Sequence, residues 1–207
     1  MPPVNVDPLG PETRALVRLA AAVAAGDEAQ LRVAVQAAAG AVPPAWAEEL
    51  LLQSYLFSGF PRALNAMREW RRASGVEAPP ADPDPAPTHG WRARGEETCA
   101  AVYGRFYPGL RRNVRALHPA LDEWMVVEGY GKILGRPGLD LARRELCVVA
   151  ACAATRQDRQ LHSHLHGALN AGAPPDAVSA TLAETRDFVS ADDARAHELL
   201  WLRVQGK

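Results

Sequence analysis

The sequence predicts an all-α fold. Alanine is abundant, while valine and isoleucine are sparse outside short patches, which favours helix over sheet. Apolar residues such as Leu16, Leu19, Ala20 and Val23 recur at helical spacing between glycine and proline breaks. Hydrophobic residues make up 48% of the 207 residues, enough to bury a core in one domain or two small ones.

Residues 1–10 hold three prolines and a glycine and read as an extended arm. Pro11-Glu12-Thr13 opens a first helix that Gly26-Asp27 ends. A second helix spans Glu28 to Ala39, with Leu31, Val35 and Ala38 inward. Gly40 and Pro43-Pro44 form a turn, and Pro44 suits a first helical position. A third helix runs from Ala45 to Ser58. Gly59-Phe60-Pro61 breaks the chain, and Arg62 to Arg72 forms a fourth helix with Leu64, Met67 and Trp70 on one side. Residues 11–74 thus make one helical module. The stretch 75–90, GVEAPPADPDPAPTHG, contains five prolines and no apolar periodicity, so it reads as a semi-extended linker and domain boundary.

Residues 91–207 form the second module. Gly95 to Phe106 is a short amphipathic helix. The segment Leu110 to Tyr130 offers Leu117, Leu121, Trp124, Met125 and Val126 as core candidates. Glycines then punctuate a loop, GYGKILGRPGLD, and Asp140 caps the next helix. Two helices follow, Arg144 to Ala154 and Asp158 to Ala171, then Ala177 to Phe188 and Asp192 to Leu202.

Composition excludes several functions. The formal net charge of −1 offers no field for nucleic acid or an acidic membrane. No apolar run approaches the roughly 20 residues of a spanning helix. The N-terminus has no basic start or apolar signal core, and Cys99, Cys147 and Cys152 lack disulfide-framework spacing; both features suit a cytoplasmic protein.

Two stretches repeat. Residues 14–44 and 144–175 share Arg, Leu, Ala-Ala and a later Gln-Leu, and both end in a double proline that starts another helix. Such a unit implies two similar modules about a pseudo-two-fold axis. Where the second copy has Glu145 and His164, the first has Ala15 and Ala34, so chemistry is expected in the second. His162 and His166 share one helix face while His164 points away. Without a third ligand the former pair reads as exposed or interface residues rather than a metal site. Cys147 and Cys152 read as small core residues. Trp91, Trp124 and Trp201 read as core or interface aromatics.

Glu145, the paired helices and His164, followed by ALNAG-A-PP, resemble the carboxymuconolactone decarboxylase family, which includes alkylhydroperoxidase D. Trp91 to Phe188, notably GYGKILGRPGLDLARREL and HLHGALNAGAPPDAV, is most similar to the decarboxylase branch. EELLLQSYLFSGFPRALNAM resembles the closing helices of the same domain. The resemblance implies two tandem helical modules, and homo-oligomers in which a trimer of two-module chains imitates a six-domain ring. In the peroxidase branch a Cys-x-x-Cys motif lies between the acid and the histidine; here those positions are Gln157 and Gln160, which cannot form a thiolate.

Glu145 and His164 are therefore expected as a general acid/base pair acting on a small carboxylated or lactone substrate, with no metal or other cofactor. Arg144, Arg156 or Arg159 can hold a second carboxylate of the substrate. Tyr130, with Lys132 and Arg136, sits in the loop expected to cover the site. Other readings stay open. Glu145 can serve the helix dipole or pair with a structural arginine. The chain can be a peroxidase using Cys147 or Cys152, or an oligomeric scaffold or small-molecule binder. Tyr55 and the Gly59-Phe60-Pro61 break can line a pocket between modules or simply pack.

Overall fold

The structure, a computed structural model, describes residues 7–84 and 86–206. Most of the expected arm, residues 1–6, lies outside the described residues. The rest is helical, with no strand among the described residues. Before the linker come α1 (Gly10–Ala25), α2 (Glu28–Ala41) and α3 (Pro44–Ser74). Asp27 caps α2, accepting from the Gln30 amide while the Gln30 side chain accepts from the Asp27 amide. The expected break at Gly59 is a kink inside α3. Gly59 alone leaves helical geometry, at φ 78°, and Pro61 follows as the first turn of the continuing helix.

After the linker come α4 (Trp91–Tyr103), α5 (Tyr107–Leu117) and α6 (Pro119–Trp124). The first half of the expected glycine loop, residues 129–134, belongs instead to a π-helix over Met125–Leu134, while residues 135–140 form the expected non-helical turn. Within it Gly131 serves close approach rather than a turn. A Cβ at Gly131 would collide with the Trp91 carbonyl, and one at Gly95 of α4 with the Val126 carbonyl. Backbone therefore packs on backbone across this pair, which larger residues forbid. Then follow α7 (Leu141–Ala154), α8 (Asp158–Asn170), α9 (Pro175–Glu184) and α10 (Ala191–Val204). Asp140 caps α7, as its sequence position suggests. The two double prolines start α3 and α9 alike: Pro43 and Pro174 are the extended N-caps, Pro44 and Pro175 the first helical residues.

Helices α1 and α7 lie against each other at the centre. Every residue of α7 from Arg144 to Ala154 is buried, and α1 buries an almost continuous run from Ala15 to Ala24. Small side chains on both allow this, and one hydrophobic core runs through helices on both sides of the linker. The linker itself is pinned. Asp84 takes two hydrogen bonds from Arg94, and Asp82 takes two from Arg136. No described helix is long and apolar enough to cross a membrane.

Three expected core residues are on the surface: Leu117 is 78%, Leu121 46% and Trp124 57% exposed. The α5–α6 corner has helical periodicity but no second layer over that face. What holds it is polar. Asp122, 1% exposed, receives hydrogen bonds from Arg111 and Arg115. The Arg111 hydrogen bond, helped by Arg115, pulls the Asp122 carboxyl down from 3.8 to about 2. A carboxyl depressed in the folded state stabilises fully above its unfolded value, and that contribution fades as pH falls from about 4 to 2. Asp122→Asn is expected to remove this acid-sensitive increment. Denaturant midpoints of the two proteins should differ at pH 7 and converge near pH 2.

Candidate active site

The paired helices α7 and α8 bring Glu145 and His164 together. Glu145 lies in the first turn of α7 and is fully buried, 0% exposed. His164 sits on the face of α8 that carries Leu161, Leu165 and Ala168 into the core. Its Nδ1 is 2.8 Å from Oε2 of Glu145. Gly167, one turn beyond His164, makes room: a Cβ there would fall 2.5 Å from the same Oε2. A carboxylate can only accept, so it takes the Nδ1–H, and the lone pair of the neutral ring sits on Nε2. Nε2 has no protein hydrogen-bond partner among the described residues, nor has the buried Oε1 of Glu145. The hydrogen-bonded pair thus keeps an unused atom at each end.

Aromatic residues frame the imidazole. Phe57 of α3 and Tyr103 of α4 meet it edge-on, with centroids 6.0 and 6.3 Å away. Tyr103 in turn meets Tyr130 edge-on at 6.1 Å. Burial pushes both phenols well above their usual range, and the nearby Glu145 charge adds to it. They stay protonated and can donate. Cys99 and Cys152 complete the surroundings. Burial raises both thiols to about 12, again with a contribution from Glu145, and Cys147 is raised to about 12 by burial.

These cysteines have no thiolate near neutral pH and no access to solvent, so none is placed to attack a peroxide. The folded protein is expected to resist iodoacetamide at pH 8 and to label at all three cysteines once unfolded. Quick labelling of the native protein would reverse that assignment.

The remaining sequence candidates are dispersed. Arg144 follows Glu145 on α7 and so points elsewhere. It is 0% exposed, and its guanidinium donates to Glu49, to Gln53 and to the carbonyls of Leu139 and Arg136. Arg156 is exposed in the α7–α8 turn, at φ 57°, and Arg159 is exposed on α8. Tyr130 is buried and reaches the histidine only through Tyr103. His162 and His166 stack edge-on at 5.0 Å on the outer face of α8. Among the described residues no three histidine, cysteine or acidic side chains converge as metal ligands. Sequence reasoning missed Phe57, Tyr103 and Gly167. Only Gly167 left a signal, an isolated glycine inside a helical pattern.

The family model described as the carboxymuconolactone decarboxylase family matches residues 4–72 and 119–202. No curated protein matches the chain. The second segment starts at 119, later than the resemblance from Trp91 suggests, so Cys99 and Tyr103 stand outside it. The first segment spans α1 to most of α3, and the second α6 to most of α10 with Glu145 and His164 inside it. An all-α chain matched over most of its length in two such stretches belongs to the carboxymuconolactone decarboxylase family, as two tandem modules of that kind.

Proposed function

We propose that this protein is a cofactor-free acid/base catalyst that decarboxylates a small carboxylated or lactone substrate. The observation that carries this is the buried 2.8 Å hydrogen bond from His164 Nδ1 to Glu145, which leaves Nε2 as the working atom. Loss of CO2 leaves an electron pair on carbon, delocalised into the neighbouring carbonyl. Nε2, carrying a proton from solvent, delivers it to that carbon, and Glu145 stabilises the imidazolium in between. Phe57 and Tyr103 limit water around the ring, which strengthens that electrostatic support. The Tyr103 hydroxyl, kept protonated by burial, is a neutral donor beside the histidine for the carbonyl oxygen where charge gathers. The buried thiols speak against the peroxidase alternative.

The test is CO2 release from a panel of carboxylated lactones and related unsaturated acids by the purified protein. At least one member is expected to lose CO2 without added metal or cofactor. If every member is left intact while the protein is folded, decarboxylation is the wrong reaction.

A further inference from the structure

A cavity lies where α3, the linker and the π-helix meet. It encloses about 690 Å³, within the usual range for small-ligand sites. It shares no lining residue with the Glu145–His164 pair or the aromatics around it. Its apolar wall is formed by Leu52, Tyr55, Phe60 and Met67 of α3 with Ile133 of the π-helix. Tyr55 and Phe60 stack at 4.7 Å with their planes 19° apart, and Phe60 is left 60% exposed. The Gly59 kink puts both rings on this wall: a straight helix would separate residues five apart to different faces.

The charged lining is nearly balanced. Glu48 pairs with Arg71, Glu49 with Arg136 and Arg144, Asp82 with Arg136, and Asp84 with Arg94 and Arg136. The four lining carboxylates are thus paired with Arg71 and Arg136 of the lining and with Arg94 and Arg144 behind it. Lys132 is the remaining cation of the lining. Its ammonium rests 5.5 Å from the Trp91 ring centroid and has no carboxylate partner among the described residues. An apolar chamber with a stacked aromatic wall and one uncompensated positive charge selects its occupant by chemistry.

We infer that this cavity binds a small aromatic monocarboxylate, with its ring against Phe60 and Tyr55 and its carboxylate at Lys132. The site is separate from the acid/base pair and does not depend on the decarboxylase assignment. The probe is 2-naphthoate, followed by its fluorescence, with uncharged 2-naphthalenemethanol as the control. Naphthoate is expected to saturate one site. Lys132→Met should weaken naphthoate about tenfold, the size of one charge-assisted contact, and leave the alcohol unchanged. Leu52→Trp, which sets a bulkier ring against the aromatic wall, should weaken both. Binding should survive in His164→Ala, so failure of the catalytic proposal leaves this result untouched. The inference is overturned if naphthoate does not saturate a site, if Lys132→Met binds it as well as the parent, or if His164→Ala alone abolishes binding.

Discussion

Replacing His164 by alanine, or Glu145 by glutamine, is expected to lower turnover of any substrate found by roughly a hundred- to ten-thousand-fold, the span a general acid or base contributes. The two variants fail for different reasons. His164→Ala removes the atom that moves the proton. Glu145→Gln keeps the shape but removes the charge that supports the imidazolium and fixes the tautomer, so the ring can turn its lone pair inward. Because the two act as a unit, the double variant should be little worse than the poorer single one. The stability control is needed, since His164→Ala leaves a buried carboxyl without its partner. Full activity in both folded variants would end their proposed roles.

Arg144→Met is expected to cost about 3–5 kcal/mol of stability, as removal of one member of a buried ionic cluster does. Burial pulls the Arg144 pKa down, and the hydrogen bond it donates to Glu49 pushes it back. Without the guanidinium, Gln53 and the carbonyls of Leu139 and Arg136 lose a shared donor in a region closed to water. Arg136 still faces Glu49, so the carboxylate is not orphaned, which places the effect at the lower end of that span. A melting temperature lower by about 10 °C is the expected reading for a chain of this size. An unchanged melting temperature with a raised KM would return Arg144 to the substrate-holding role its sequence position suggests.

That contrast shows where the sequence was informative. Glu145 and His164 were legible because they lie on adjacent helices, the first capped by Asp140 and the two parted by a short break, so their separation of 19 residues translates into one crossing of α7 and α8. Arg144 was misleading because neighbours in sequence are about 100° apart on a helix. Its partners, Glu49 and Gln53, come from the other module, more than ninety residues away, and no local pattern announces them. Phe57 and Tyr103 reach the histidine from α3 and α4 in the same long-range way. The glycine-rich stretch before Arg136 read as a loop because glycine is equally a turn former and a means of close helix packing, and only the Trp91 carbonyl opposite Gly131 decides between them. Leu117, Leu121 and Trp124 followed helical spacing faithfully, but periodicity marks an apolar face without saying what covers it.

The measurement closest to the centre of this account is the ¹⁵N spectrum of His164, which needs no substrate. With Glu145 holding Nδ1–H, the neutral ring should show a protonated Nδ1 and a pyridine-like Nε2, and this assignment should be lost or mixed in Glu145→Gln. A neutral ring protonated at Nε2, unchanged by Glu145→Gln, would mean that the carboxylate does not orient the imidazole, and the proposed acid/base pair would fall with it.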